Sequence, residues 1–124
     1  MVMKIQEQIQ TRAEILKEFS DAYDARFFKT LSEPARIQIL SYLILHGRSD
    51  IGSITENMPQ DRSVVSRHLN QMKAIGMLCC EKETRHMYYS IDAQVFIDKL
   101  EQFLTQIKKC ISVCCPPDCC SKKR

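Results

Sequence analysis

A chain of 124 residues with a formal net charge of +3 is the size of one domain, and we expect a single compact unit. The basic excess lies after residue 60, which suits a limited surface that touches a polyanion. With three glycines there is no phosphate-binding glycine loop, and no enzyme is expected. The N-terminal sixteen residues carry charges throughout, so we expect neither a signal peptide nor a membrane span there and predict a cytoplasmic protein without a membrane partner.

The first predicted element is a long amphipathic helix from Ile5 to Phe27, along which apolar residues recur three or four apart. A break is expected near Ser20-Asp21, where an acidic N-cap could start a second helix. A narrow apolar stripe of this kind packs either against its own domain or against a partner subunit. The sequence favours neither alternative.

Three short helices follow. Ser32 is the predicted N-cap of the first, because Pro34 suits a first helical turn. A short helix then begins near Ile51 and is closed off by Pro59, and a third runs from Asp61 to Gly76. This order predicts a helix-turn-helix. The first of the three is expected to bury one apolar face, formed by Ile37, Leu40, Leu43 and Ile44.

The segment from Asp61 to Gly76 has two dissimilar faces. Val65, Leu69 and Met72 recur at helical spacing and are predicted to be buried, with Asp61 as the N-cap and Gly76 as the stop. By composition alone an ordinary solvated helix is the better interpretation, and only the neighbouring segments favour a recognition helix. The opposite face carries groups that bind phosphate oxygens or base edges, namely Arg62, Ser63, Ser66, Arg67 and Asn70.

A hairpin is predicted next, because β-rich runs lie on both sides of a charged stretch from Lys82 to Arg85. Lys82, Arg85 and His86 are expected at or near its tip. A hairpin after a recognition helix is a wing whose basic tip touches phosphate or the minor groove. A solvated turn is the alternative.

A last helix is predicted from Asp92, its expected cap, to Cys115, because Pro116 and Pro117 exclude continuation. We therefore predict one winged-helix domain over residues 1–115, with dimerisation helices at both ends, and a cysteine-rich tail over residues 116–124. The apolar stripe of this helix is too extensive to stay exposed. It consists of Phe96, Leu100, Phe103, Leu104, Ile107 and Ile111.

Three stretches resemble the ArsR/SmtB family of bacterial metal-sensing repressors. Phe27 to Leu40, FFKTLSEPARIQIL, is similar to the family's FKALADPTRLRIL, and Ser63 to Leu78 is similar to its STVSRHLKVLREAGLV. Met87 to Ile91 resembles the end of its wing. The resemblance extends over residues 27–107. It implies a mainly α fold with a small β-hairpin (α+β), a homodimeric winged helix-turn-helix that represses transcription until a ligand releases it from an operator.

The resemblance also implies DNA contacts by position. A packed core histidine is the alternative for His68, which lies close to the apolar face. In a homodimer two such helices would enter successive major grooves roughly 34 Å apart, so the expected partner is a near-palindromic double-stranded operator. The DNA-contacting candidates are Arg62, Ser63, Ser66, Arg67 and His68, followed by Asn70, Gln71 and the wing residue Arg85.

Two ligand sites of the family have no match here. Residues 50–55 lack the cysteines of the site on the first helix of the helix-turn-helix, and no histidine follows His86 to form a zinc site on the last helix. What remains is a cluster of thiols near the C-terminus, and seven cysteines without an export signal argue for reduced thiols with metal or redox chemistry. The cluster consists of Cys110, Cys114, Cys115, Cys119 and Cys120.

Three thiolates suit As(III) or Sb(III), four suit Zn, Cd or Pb, and a pair suits Cu(I). The resemblance favours arsenite, bound by Cys114 and Cys115 with Cys110, and with Cys119 or Cys120 as substitutes. Ion binding at the last helix would change the spacing of the two DNA-binding units and release the operator.

Several alternatives remain open at this point. A thiol redox or persulfide sensor would use the same cysteines, and the tail would otherwise be an exposed segment without a regulatory role. A metal-storage or metallochaperone protein would bind no DNA. Cys79 and Cys80 are neighbours on a predicted strand and point to opposite faces, so one is expected to be a small core residue while the other could react.

Overall fold

The structure is a computed structural model that describes the backbone of residues 2–114 and the side chains of residues 12–113. Its elements are α1 (Val2–Ala22), α2 (Ala25–Leu31), α3 (Pro34–His46), β1 (Ser49–Asp50), α4 (Ile51–Glu56), α5 (Arg62–Ala74), β2 (Leu78–Glu83), β3 (His86–Ile91) and α6 (Ala93–Cys114). They fall into two compact units. The central unit is Ala25–Phe96, and the helical unit combines, among the described residues, 2–24 with 97–114.

The core of the central unit lies beneath α5. Val65, Leu69 and Met72 are each 0% exposed, so the predicted buried face of this helix is confirmed. Apolar side chains at 3.6-residue periodicity are removed from water together when one stripe of a helix packs on its neighbours. The other fully buried large side chains come from α2, α3, α4 and the start of the hairpin: Phe27, Ile39, Ile54 and Met77.

The predicted buried face of α3 is only partly right. Leu40 and Leu43 are buried, but Ile37 is 44% exposed and Ile44 is 76% exposed, whereas Ile39 is completely buried. Apolar residues occur almost all round this helix, so their spacing does not identify which stripe faces the core. Packing against the rest of the central unit makes that choice.

The ends of the helices differ in detail from the predictions. The break in the first helical stretch lies at Tyr23–Asp24 and not at residues 20–21. Glu33, and not Ser32, is the N-cap of α3, and its side chain makes no cap hydrogen bond, while Ser32 donates its hydroxyl to the carbonyl of Lys29 at 2.6 Å. Asp61 is the N-cap of α5, but its side chain makes no cap hydrogen bond.

The hairpin is part of a three-stranded antiparallel sheet in the order β1-β3-β2. Glu83 pairs with His86, which leaves Thr84 and Arg85 as a two-residue turn, and Thr84 has a positive φ of 57°. The predicted hairpin is confirmed, with Lys82 within β2. The short strand β1 was not predicted, because two residues are too few to show an alternating pattern.

In the helical unit, α1 packs against α6. The ring of Phe103 lies 5.6 Å from that of Phe19 and 5.7 Å from that of Tyr23. Lys99 pairs with Asp24 at 3.0 Å on the same side. The apolar residues on the neighbouring side of α6 are substantially exposed, namely Ile97, Leu100, Leu104 and Ile111.

The start of α6 agrees with the sequence, while its predicted end at Cys115 lies outside the described residues. The carboxylate of Asp92 accepts a hydrogen bond from the backbone N–H of Val95 at 3.3 Å, as expected of a cap, and α6 extends to Cys114, the last residue whose backbone is described. Among the described residues, no helix has the length and apolar character needed to cross a membrane.

Candidate nucleic-acid interface

The helix-turn-helix consists of α4 and α5, which pack against each other. Asp50 begins α4, and its carboxylate accepts a hydrogen bond from the backbone N–H of Ser53 at 3.3 Å. Hydrogen bonding from the Ser53 hydroxyl is the main reason why the pKa of Asp50 lies below its usual value. Ile54 in α4 and Val65 in α5 are completely buried. The buried contacts between α4 and α5 therefore hold the exposed face of α5 in position.

That exposed face carries most of the predicted DNA-contacting side chains. Four of the five polar residues are exposed, and Ser66 is half-buried. Within the part of the chain that the structure describes, none of the five side chains forms a hydrogen bond or an ion pair. Their donors and acceptors are therefore available to phosphate oxygens and base edges. The exposed four are Arg62, Ser63, Arg67 and Asn70.

His68 and Gln71 differ from these five, because both contact Arg36 of α3. The Nε–H of Arg36 donates to Nδ1 of His68 at 3.2 Å, and its Nη2 donates to Oε1 of Gln71. His68 is half-buried, in line with the packed alternative, while Gln71 is exposed. The structure thus gives both predicted DNA contacts an intramolecular partner, and their contact with DNA stays a prediction.

The environment of His68 favours its neutral form. Its pKa is lowered, first because burial penalises the imidazolium and second because Arg36 is positively charged, while Glu33 acts in the opposite direction. A neutral ring with an unprotonated Nδ1 is the form that accepts a hydrogen bond from Arg36. Sequence reasoning missed Arg36, because its contact with His68 joins residues 32 positions apart and leaves no local signal in the sequence.

The wing presents one basic side chain at its tip. Arg85 is exposed in the two-residue turn and has no hydrogen bond or ion pair to any described residue. Arg48, which precedes β1, donates to Glu83 beside the turn of the wing at 2.6 Å, and it stacks 4.1 Å from the centre of the Tyr88 ring on β3. This pairing anchors the hairpin to the residues that precede β1.

Cys79 and Cys80 lie on opposite sides of β2, as the alternation of a strand requires. Cys80 packs against the core, which confirms that one of the two is a small core residue. Cys79 is exposed and its thiol lies 3.8 Å from Asp92 Oδ2. Burial and the carboxylate of Asp92 raise the pKa of Cys79, so the thiol form is favoured over the reactive thiolate.

Cys79 and Arg85 also have the spacing of a cysteine, five residues and an arginine, which is typical of thiol phosphatases. The residues between them do not form a phosphate-binding loop, because Cys79 is paired with Ser90 along β2 and Arg85 lies in the turn beyond it. An extended strand carries the two side chains away from each other.

The predicted metal ligands lie at the end of α6 and beyond. Cys110 is half-buried within the helix, and Cys114 is its last residue, with a side chain outside the described set. Cys115, Cys119 and Cys120 also lie outside the described residues. Among the side chains that are described, no three His, Cys, Asp or Glu residues come together to hold a metal ion.

Comparisons with known proteins agree with this architecture. The family model described as bacterial regulatory protein, arsR family, matches residues 33–78. The transcriptional repressor SdpR of Bacillus subtilis is 30% identical over 82 residues, which cover 66% of this chain and 90% of that protein. A cadmium resistance transcriptional regulatory protein CadC homolog of Staphylococcus aureus is 31% identical over 68 residues, 55% of this chain and 56% of that protein.

A solved homodimeric winged helix-turn-helix DNA-binding domain from Mycobacterium bovis, a possible ArsR-family transcriptional regulator, superposes with a TM-score of 0.54 at 25% identity and covers 81% of this chain and 85% of that one. The family match contains α3, α4 and α5, the elements that position the exposed face described above. The resemblance seen in the sequence is therefore confirmed. This chain belongs to the arsR family of bacterial regulatory proteins and is a transcriptional regulator with a winged helix-turn-helix fold.

Proposed function

We propose that the protein is a homodimeric repressor that binds operator DNA and leaves it when a thiophilic ion, As(III) or Sb(III) first of all, binds the C-terminal cysteines. The main support for DNA binding is the exposed face of α5. Its guanidinium, hydroxyl and amide groups have no partners among the described residues, and its apolar face is fully buried. A rigid helix with free polar groups is what base readout requires.

The wing adds a second contact in this proposal. Arg85 at the tip supplies a cation that suits the phosphate backbone or a narrow minor groove. The pairing of Arg48 with Glu83, next to the turn, and the stacking of Arg48 on Tyr88 hold the tip of the hairpin in place. Two contacts per subunit, doubled in a dimer, favour a near-palindromic operator.

Dimerisation is supported by α6. Its exposed apolar side chains lie three, four and seven residues apart and so share one side of the helix: Ile97, Leu100, Leu104 and Ile111. Apolar residues in such a row mark an interaction surface, and a second copy of the helix would bury it. The solved relative from Mycobacterium bovis is described as homodimeric.

The sensing part of the proposal rests on the chemistry of thiols. Cys110 and Cys114 are four residues apart on α6 and share one side of the helix, and Cys115 follows directly. Three thiolates satisfy the trigonal pyramid of As(III) or Sb(III), while Cys119 and Cys120 are available as substitutes or as a fourth ligand for Cd, Pb or Zn. The relative from Staphylococcus aureus is named for cadmium resistance.

Because α6 carries both the cysteines and the exposed apolar row, an ion bound at its end acts on the proposed dimer interface. A shift in that interface changes the separation of the two α5 helices and costs several DNA contacts at once. Hundredfold release needs a coupling of only about 2.7 kcal/mol. A redox or persulfide sensor with the same cysteines is the second candidate, supported by the same thiols.

Fluorescence anisotropy tests the proposal. A labelled duplex selected for binding from a random library is titrated with the protein under sulfide-free reducing conditions, with arsenite, antimonite, Cd, Pb, Zn or Cu(I) added. Wild type is expected to lose about a hundredfold in affinity with its best inducer, and the Cys114→Ser, Cys115→Ser double variant is expected to stay bound.

Cys79→Ser is the matched control and is expected to respond like wild type, because Cys79 lies on β2. A full response by the double variant would contradict the assignment of the site. If an oxidant or a polysulfide releases the duplex and none of the ions does, the protein is a redox or persulfide sensor and not an ion sensor. A protein that binds no duplex would refute it entirely.

A further inference from the structure

An open cleft of about 330 Å³ lies beside the second half of α5. We name it the basic cleft, because three of its seven lining residues are cations and none is acidic. It is enclosed by α2, by the first turn of α3 and by the C-terminal end of α5. Its lining residues are Arg26, Lys29, Thr30, Arg36, Gln71, Ala74 and Ile75.

Two cations of the basic cleft have no counterion among the residues that the structure describes. Arg26 and Lys29 are exposed on α2, and neither side chain forms a hydrogen bond or an ion pair with any described residue. Elsewhere in the central unit Arg48 pairs with Glu83. Unpaired like charges that converge on one cavity repel each other, and an anion in the cavity relieves that repulsion.

Arg36 is held at the wall of the basic cleft by three hydrogen bonds. Its Nη1 donates to the carbonyl of Thr30 at 3.3 Å, while the other two bonds go to the side chains of His68 and Gln71. A guanidinium has five N–H donors, so two are left over. A guanidinium whose orientation is already fixed loses little entropy when it binds an oxyanion.

The position of the basic cleft relates it to the exposed face of α5. Residues three and four apart are neighbours on a helix, so Arg67 and Asn70 adjoin Gln71 and Ala74 of the cleft wall one turn later. A helix that lies in a major groove about 12 Å wide has a row of phosphates along each side. The basic cleft is on one of those sides.

We propose that the basic cleft binds a phosphate group of the DNA backbone beside the recognition helix. Arg36 is the oriented donor, and Lys29 and Arg26 supply the remaining positive charge. The proposal rests on the proposed function and extends it with a contact that is independent of base sequence, because phosphates position a protein on any duplex. A free phosphate ion has the same chemistry, so the experiment separates the two sources.

The test compares the salt dependence of DNA binding by wild type and by Lys29→Gln. The logarithm of the association constant is measured against the logarithm of the KCl concentration on the selected duplex and on a scrambled one. Loss of one phosphate contact is expected to reduce the slope by about 0.9 on both duplexes, because one fewer counterion is released. Lys17→Gln, an equal change of charge at an exposed residue of α1, is expected to keep the wild-type slope.

Arg26→Gln is a second variant and is expected to behave like Lys29→Gln. A wild-type slope for both variants would overturn the assignment, whereas a wild-type protein that binds neither duplex would refute the proposed function instead.

In a DNA-free arm, inorganic phosphate is added and the ¹⁵N signal of Arg36 Nε is followed. A phosphate-dependent shift that Lys29→Gln abolishes, together with unchanged DNA slopes, would assign the cleft to a free anion and overturn the DNA contact.

Discussion

Helices α5 and α6 are both amphipathic, but they differ in which face is left without a partner. In α5 the apolar side chains of Val65 and Leu69 are completely buried, and the polar face is exposed. In α6 the apolar side chains of Leu104 and Ile111 are 51% and 57% exposed. The face without a partner is the one available for function. It is therefore polar in α5, which suits DNA, and apolar in α6, which suits a second subunit.

The largest expected effect comes from disturbing the buried side of α5. Leu69→Ala leaves a cavity beneath the helix, and we expect the free energy of unfolding to fall by about 2 to 5 kcal/mol. Chemical denaturation at a fixed protein concentration measures this loss. Ile44→Ala is the control within the same unit and is expected to cost less than about 1 kcal/mol, because that side chain is 76% exposed. Equal losses would contradict the burial assigned to α5.

The next effect comes from placing a charge on the apolar side of α6. Leu104→Glu is expected to raise the dissociation constant of the dimer about a hundredfold, because an unpaired carboxylate is poorly tolerated in an apolar interface. Sedimentation equilibrium measures the constant. Gln102→Glu adds the same charge at an exposed polar position on the other side of the helix and is expected to leave it unchanged. If both variants raise the dissociation constant of the dimer by a similar factor, the apolar side of α6 is not the dimer interface and the contrast with α5 is wrong.

The smallest effect concerns the contact between α5 and α3. The pKa of His68 is lowered in the folded protein, so the unfolded chain binds more protons in the window just below the ordinary histidine pKa of about 6.5. The contribution of His68 to stability is therefore complete above that window and lost as the pH falls through it. The free energy of unfolding is measured by chemical denaturation at pH 7.5 and pH 5.5. The difference between the two values is expected to be smaller in His68→Asn than in wild type. His46→Asn is the control. A difference between the two pH values that is as large in His68→Asn as in wild type would contradict the contribution assigned to His68.

The sequence was sufficient for features that repeat with a regular period. Val65, Leu69 and Met72 lie on one face of α5 because helical periodicity placed them there, and the β-rich runs on either side of Lys82–Arg85 form the predicted hairpin. The same patterns supplied the order of the elements, and the resemblance added the family, which periodicity alone does not supply.

The sequence was insufficient where tertiary packing decides the outcome. The buried face of α3 could not be chosen among apolar residues that surround the helix, so Ile39 was missed and Ile37 was misplaced. The contact of Arg36 with His68 joins residues 32 positions apart, and no local pattern reports such a pair. The charges of the basic cleft likewise come from α2 and α3, which fold back to α5.

We infer that the exposed face of α5 reads an operator, and the Asn70→Ala variant tests this inference most directly. Anisotropy titrations of wild type and of this variant are compared on the selected duplex and on a scrambled one at equal salt concentration. We expect the affinity of Asn70→Ala for the selected duplex to fall about tenfold or more, since a side-chain amide contact with a base edge is worth about 1 to 3 kcal/mol, and its affinity for the scrambled duplex to stay unchanged. An unchanged affinity for the selected duplex, or an equal loss on both, would contradict it.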